Sequence, residues 1–539
     1  MVFAQTAVYE SLGLLFLLYA ETHYAFKGVY SRLKKREPEI VADLPHRMEA
    51  KTPLPILLMV KDADRYPVAL HALRVHISSG DESECQQFEL GAEIVREKFW
   101  HRVFECVPQK SFVGATKVDV AVEYEIGNEV RLARNDNYAC SSHAPFEVYI
   151  SDTGLPKTSG WHLGEFHCHT AYTNDQVEFG APVGATAQLA RRMGLSFYCA
   201  TDHSYDLDDC PNDYLKRDPL LTRWTDLRRE IEAFNASKSG FVIVPGEEVS
   251  CGNQRNRNVH FLILNHSEFL HGAGDSAEKW LHSRPESTVA EILQKVSPNA
   301  LAYAAHPEIR PPLLQRLLLR RGKWHHQDYQ HQRLNGMQIW NGTANGLKQG
   351  KQKWVQLLLE GRRLFISGGN DAHGNFNRFR QIGFPFFTMR ENHEHLFGKV
   401  RTGVFLEQEL SLGTLLDAIG KGRMVVTDGP FAEISLVRES DNQTGIGESA
   451  HGRFSTMRIR ARSSPEFGAL SALQIYRGDL EQRKEMVWQT LHHFAGPYCH
   501  EQCLPLPEKG GAFYYRAELY SQNGEKQHCC LTNPIWVRR

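Results

Sequence analysis

The chain has 539 residues, with 62 Lys plus Arg against 63 Asp plus Glu and an isoelectric point near 7.1. That length exceeds what one hydrophobic core serves, so roughly two to four domains are expected, and the balanced charge excludes a broad basic field for nucleic acid, leaving only a local patch for such a partner. The 11 cysteines are irregularly spaced and odd in number, so they cannot all pair within the chain, which points to a reducing compartment and a cytoplasmic protein.

In chain order, the apolar run 12–20 comes first. It is shorter than the ~20 residues a bilayer span needs. No Lys or Arg precedes it, as a secretory signal would require. It reads as one buried helix in an N-terminal helical segment, 1–50, and no integral membrane segment is expected. The basic group Arg32-Leu33-Lys34-Lys35-Arg36 reads as a solvated face, with peripheral membrane association as the alternative. Between 51 and 158, short β-like runs at 56–60, 73–77, 103–106, 117–124 and 146–150 are broken by Gly, Asp and Asn turns, which predicts a β-sandwich-like domain.

From 159 to 425 the character changes. Strands are predicted at 161–166, 197–200, 241–245, 259–264, 300–304, 336–340 and 364–367, and helical spacing appears at 183–193, 224–235, 289–296 and 345–359. Such alternation predicts α/β architecture with a parallel sheet, helices outside, and an active site at the carboxyl ends of the strands. A helix at 412–419 precedes the turn-rich Gly420–Pro430. Further strands at 431–437, 457–461, 472–476 and 513–520 predict a second β-rich domain over 426–539. The two β-rich domains are expected to support the central α/β domain, recognise substrate or form a homo-oligomer.

Five segments of the central region each end a β-like run with a metal-ligand residue type: His167-Cys168-His169, Thr201-Asp202-His203, Gly246-Glu247-Glu248, Ala305-His306-Pro307 and Asn370-Asp371-Ala372-His373. One His-x-His pair is weak evidence, because alternate strand residues share a face and paired histidines often only hydrogen-bond. Five in series suit a borderline or hard cation, and no Cys-x-x-Cys pair suggests a structural zinc cage. Cys168, between two ligands, is expected on the opposite face. Glu247 and Glu248 point oppositely on an extended chain, so only one can face the metals, and the Gly-x-Glu spacing favours Glu248. His260 begins an apolar run, with His266 as its rival. Asp202 reads either as a carboxylate orienting a ligand or as a turn residue.

Taken together, His167-Cys168-His169-Thr170, Thr201-Asp202-His203, Pro245-Gly246-Glu247-Glu248, Ala305-His306-Pro307 and Asn370-Asp371-Ala372-His373 resemble the successive motifs of the polymerase and histidinol phosphatase (PHP) superfamily, over about 160–375. The resemblance implies a distorted seven-stranded (β/α) barrel, here flanked by two β-rich domains, holding two or three divalent ions such as Mn, Zn or Fe. It implies His167, His169, Glu248 and Asp371 around one ion, Glu248, His260 and His306 around a second, and Asp175, His203 and His373 around a third. Asp175 has Asn174 as its neighbour in an uncertain register. His167, Asp371 and His373 are the implied catalytic residues. The stretch 411–430, with Trp340-Asn341-Gly342 and Asp371-Ala372-His373-Gly374, resembles the carbaryl hydrolase-like branch.

The expected function is therefore a metal-dependent phosphoesterase using an activated water on a small phosphate ester, a nucleotide or a nucleic-acid end. An amide or carbamate hydrolase is the first alternative and a noncatalytic metal-stabilised module the second. Arg310, Asn341 and Arg378 are the candidate substrate-binding residues, with Arg380 beside the last. Cys499-His500-x-x-Cys503 and Cys529-Cys530 have no matching second pair and are not read as a metal site.

Overall fold

The structure, a computed structural model, describes residues 36–138, 143–173, 179–211, 213–275, 283–378, 381–383, 388–390, 395–438, 443–452, 454–507 and 511–538. The run 12–20, most of the basic group that follows it, Asn174, Asp175 and Arg380 lie outside these residues.

Two N-terminal sheets share one apolar core. Glu39–Asp43, Leu54–Lys61 and Phe99–Cys106 form a three-stranded antiparallel sheet, and a six-stranded sheet runs through Arg47–Glu49, Phe146–Ser151, Gly114–Ile126, Val68–Ser79 and Glu82–Val95, with Glu129–Arg134 beside Gly114–Ile126. Alternation drives the packing: Leu73, Val75 and Ile77 on one strand of the six-stranded sheet and Val118, Val120 and Val122 on the adjacent strand point inward against Ile56, Leu58 and Val60 of the three-stranded sheet. These sheets begin before residue 51, since Glu39–Asp43 and Arg47–Glu49 belong to them.

The central strands lie in one sheet in the order Phe365–Gly369, Gly336–Asn341, Leu301–Ala304, Asn258–Leu264, Val242–Gly252, Phe197–Ala200, Trp161–His169, Arg401–Phe405 and Met424–Thr427. The expected fold, an α/β distorted seven-stranded (β/α) barrel of PHP type between two β-rich domains, is corrected here. Of the described residues 46% are in strands against 15% in helices, and this sheet is mixed rather than parallel. Val242–Gly252 and Asn258–Leu264 form an antiparallel hairpin closed by a loop in which Asn253 Oδ1 accepts the N–H groups of Arg255 and Arg257. That loop leaves no room for a crossover helix, so the βα repeat breaks there. Asn258–Leu264 is also antiparallel to Leu301–Ala304, and Arg401–Phe405 to Trp161–His169. The sheet then continues from Met424–Thr427 into Lys526–Thr532, Ala512–Asn523, Ala469–Asp479 and Lys484–Leu491.

Helices cover part of this sheet. Val183–Arg192 buries Val183, Ala187, Leu189 and Ala190. Val289–Lys295 starts at a capping box in which Thr288 accepts from Glu291 N–H and Glu291 accepts from Thr288. Leu347–Leu359 seats the fully buried Trp354, whose Nε1–H donates to the Leu364 carbonyl at 2.8 Å. At the C-terminal end, the sheet packs against a four-stranded sheet of Gln443–Thr444, Phe431–Val437, Thr456–Arg462 and Cys499–Pro505 across a core including Phe431, Ile459, Leu473 and Tyr515.

One consequence of this topology positions the site. After Phe365–Gly369 the chain turns so that Ala372–His373 pairs in parallel with the end of Trp161–His169, setting His373 beside His169. Residues some two hundred positions apart thus meet at one end of the sheet.

Candidate metal centre

On Trp161–His169 the side chains alternate. Phe166 and Cys168 pack into apolar cores, and Glu165, His167 and His169 share the other face. On the antiparallel hairpin, Ser250 lies opposite His260 and Glu248 opposite Leu262, so Glu248 and His260 are diagonal neighbours on one face. His260 starts its strand, yet the reversed direction brings that start to the end of the sheet carrying the other ligands. Glu248 sits within Val242–Gly252 rather than after its end.

Glu248 is the hub. Its two oxygens lie 2.7 Å from His260 Nδ1, 3.0 Å from His203 Nδ1, 3.2 Å from His306 Nε2, 3.4 Å from His167 Nε2 and 3.5 Å from His169 Nε2. Asp371 Oδ1 lies 3.0 Å from His169 Nε2 and 3.3 Å from His167 Nε2. The His373 ring stacks on His169 with centroids 4.0 Å apart. Three groups have donor atoms within 4.8 Å of one another: His167, His169, Glu248 and Asp371; Glu248, His260 and His306; and His169, His203 and His373. His266 stands apart, bonded to Ser297.

Electrostatics divides the cluster. Burial pushes the Glu248 carboxyl up, but His260 and His167 override it and hold the group well below the usual carboxylate range; Asp371 is likewise held well below, His167 overriding burial. Burial pulls His167 down, yet Asp371 and Glu248 push it up to about 9, and Glu248 with Asp275 push His260 up to about 10 against the same burial. His169 is forced well below its ordinary value by burial and by His373 and His203, and burial also lowers His306.

The residues present fit divalent ions. His167 Nε2, His203 Nδ1 and Glu248 Oε2 are buried and, although close to one another, make no well-aligned hydrogen bond, an arrangement that costs free energy unless something else satisfies them. Mixed imidazole and carboxylate donors suit Mn²⁺, Fe²⁺ or Zn²⁺. Asp371 and His306 both take positive φ, 54° and 29°, a backbone cost of about 1–3 kcal/mol each that clusters at functional sites. Their side chains are also among those solvent reaches, 23% and 18% exposed, so the cluster opens on that side.

Several supporting residues carry no ligand motif. Glu165 accepts the N–H groups of His167 (3.0 Å), Asn370 (2.9 Å) and Gly398 (2.9 Å) and the Asn370 side-chain amide, and burial pushes its carboxyl up to about 7. Asp275 accepts from His260 Nε2 at 2.5 Å and from Arg321 Nε at 2.7 Å. This carboxylate leaves His260 Nδ1 as the atom facing Glu248. Gln338 Oε1 lies 2.8 Å from His167 Nδ1. The polar interruption of an apolar strand could have flagged Gln338, and its i, i+2 relation to His167 could have flagged Glu165; Asp275, in a Gly-rich loop, carried no signal.

Other expected residues take different places. Asp202 touches no ligand ring; it accepts from Thr170 N–H, Thr170 Oγ1 and Thr173 N–H at 2.8, 2.9 and 2.9 Å, bracing the turn after His169. Glu247 faces away, accepting from Trp224 Nε1 at 3.1 Å and pushed by burial up to about 8. Asn341 is buried and donates to Asp371 Oδ2 at 3.2 Å rather than facing an open pocket. Arg310 is exposed. Arg378 lies over the Phe179 ring at 4.3 Å and reaches the His373 carbonyl at 3.5 Å, and its backbone N–H, with those of Phe376 and Asn377, is held by Asp43 of the first N-terminal strand. Among the described residues, no helix is long and apolar enough to cross a membrane.

No family model matches the chain, and no curated protein does. Among solved structures, the chain is similar to a Parabacteroides merdae β-glucuronidase at 8% identity over 94% of this chain and 65% of that one, with a TM-score of 0.16. A Bacteroides uniformis β-glucuronidase gives 7% identity over 93% and 60%, with a TM-score of 0.15, and an E. coli α-2-macroglobulin gives 9% over 94% and 22%, with a TM-score of 0.14. The chain spans less than two thirds of the length of these proteins, and likenesses this small carry no argument about its fold or chemistry.

Proposed function

We propose that the cluster is the divalent-metal centre of a hydrolase acting on phosphate esters, either small esters or nucleotide and nucleic-acid ends. The observation that carries this reading is Glu248, one buried carboxylate ringed by five imidazoles within 3.5 Å. His167, His169, Glu248 and Asp371 would hold one ion and Glu248, His260 and His306 a second, while His169, His203 and His373 form a third group. The ligand pattern of the PHP superfamily supports this assignment; the barrel of that superfamily is not part of it.

Ions held there supply Lewis acidity toward a substrate oxygen and bring the pKa of water toward neutrality. The chain's own residues do the rest. Glu248 belongs to two of the ligand groups, so it would serve both positions. Asp371 and His306 form the edge by which substrate enters. Arg378, with its Nε buried and unpaired, offers a guanidinium beside His373 that suits a phosphoryl oxygen. Cys168 does not compete as a nucleophile, because its thiol turns to the Cys199 carbonyl and burial pushes its pKa well up.

Metal-loaded protein should release phosphate from p-nitrophenyl phosphate or from a 5′-phosphorylated oligonucleotide, and His167→Ala should abolish this while remaining folded. Cleavage of an aryl carbamate alone would overturn the phosphoester assignment in favour of a carbamate hydrolase. Full metal occupancy with no turnover on any of the three would favour a noncatalytic role.

A further inference from the structure

Gln338 and Asn341 connect two candidate ligands that are 204 positions apart in the chain, since 371 less 167 is 204. Asp371 Oδ2 accepts from Asn341 Nδ2 at 3.2 Å, Asn341 Oδ1 accepts from Gln338 Nε2 at 2.9 Å, and Gln338 Oε1 lies 2.8 Å from His167 Nδ1. Both amides are buried, at 0% and 3% exposure, so water does not replace these bonds. The two residues are three apart on Gly336–Asn341, a spacing that would normally place them on opposite faces. The register against Phe365–Gly369 shifts between Gln338 and Trp340, and that irregularity turns both side chains to one side.

The direction of every bond in this series follows from its carboxylate end. A carboxylate only accepts, so Asn341 must present its NH₂ to Asp371 and its oxygen to Gln338. Gln338 must then present its NH₂ to Asn341 and its oxygen to His167. An oxygen there requires a proton on His167 Nδ1, so in the neutral ring the lone pair is on Nε2, the atom facing Glu248 and Asp371. We propose that Gln338 and Asn341 are positioning residues of the metal centre, a relay by which Asp371 fixes the tautomer of His167 so that Nε2 is its ligand atom. This rests on the metal-centre reading above. His260 is oriented separately, by Asp275, so the relay serves the His167 group and not the His260 group.

The test is a set of three variants, Gln338→Leu, Asn341→Leu and the double variant, titrated with Mn²⁺ or Zn²⁺ against a competing chelator. Anomalous diffraction reads occupancy at each position. Each single variant should weaken binding about 10–100-fold, as removal of an outer partner does. The double variant should lose no more than the worse single one, because residues acting as one unit are not additive. Occupancy should fall at the His167 position and persist at the His260 position. Equal losses at both positions would show a merely structural role and overturn the relay. Unchanged affinity in Gln338→Leu while the wild type binds would overturn it too. A wild type that takes up no ion would instead overturn the metal-centre reading, and the relay with it.

Discussion

Replacing Glu248 by Gln keeps the volume of the side chain and removes the charge on which five imidazoles converge. In metal-free protein, His167 and His260 are pushed to about 9 and about 10, so near pH 7.5 both carry an extra proton. An ion binds only the neutral ring. His167 would keep the Nδ1 proton that faces Gln338 and give up the one on Nε2; His260 would keep the Nε2 proton that faces Asp275 and give up the one on Nδ1. Filling the centre should therefore release about two protons per chain, and log affinity should rise with pH by up to about two units per pH unit until pH passes the raised pKa values, then flatten. In Glu248→Gln part of the field that raises both rings is lost, with Asp371 still beside His167 and Asp275 still beside His260, so fewer protons are released. A direct ligand is lost as well, so affinity should fall by more than the 10–100-fold of an outer partner, which is more than about 1.4–2.8 kcal/mol. Calorimetric titration in two buffers of different ionisation enthalpy measures both quantities. Wild-type binding without proton release, or a Glu248→Gln variant with unchanged affinity, would refute the reasoning.

Three further outcomes follow from the surrounding structure. Asp43→Ala removes the acceptor for the N–H groups of Phe376, Asn377 and Arg378. At about 1–3 kcal/mol for each buried group left unpaired, urea unfolding should show a loss of roughly 3 kcal/mol or more, and an unchanged midpoint would contradict this. In Gly369→Ala the new Cβ would stand 2.6 Å from Glu165 Oε1 and 2.7 Å from the His167 nitrogen, so the variant should be destabilised by about 1–3 kcal/mol and retain less metal on dialysis. Cys168→Ala should keep its metal content within error of wild type, because the thiol faces the apolar core; loss of metal would make Cys168 a ligand.

What could be read from the sequence and what could not have different physical origins. Strand alternation is local, so His167 and His169 could be placed on one face, Cys168 on the other, and Glu248 opposite in direction to Glu247, without knowing the fold. Strand direction is not local. Nothing in the apolar runs at 241–245 and 259–264 says whether the second strand returns beside the first, and only the short Asn-rich loop between them hinted at a hairpin. The same reversal accounts for His260, which begins its apolar run rather than ending one. Gln338, Asp275 and Asp43 act across 171, 15 and more than 300 positions, and their partners are fixed only by tertiary packing. The strand Glu39–Asp43 is not legible in the sequence because a Pro and acidic residues flank a very short apolar stretch, and its stability comes from pairing with Leu54–Lys61.

Divalent metal content tests the central claim most directly. Protein purified without chelator and passed through gel filtration should carry at least about one Mn, Fe or Zn ion per chain by inductively coupled plasma mass spectrometry, and Glu248→Gln, folded by circular dichroism, should carry clearly less. A folded wild-type protein that holds no divalent ion, and takes none up when titrated, would contradict the account.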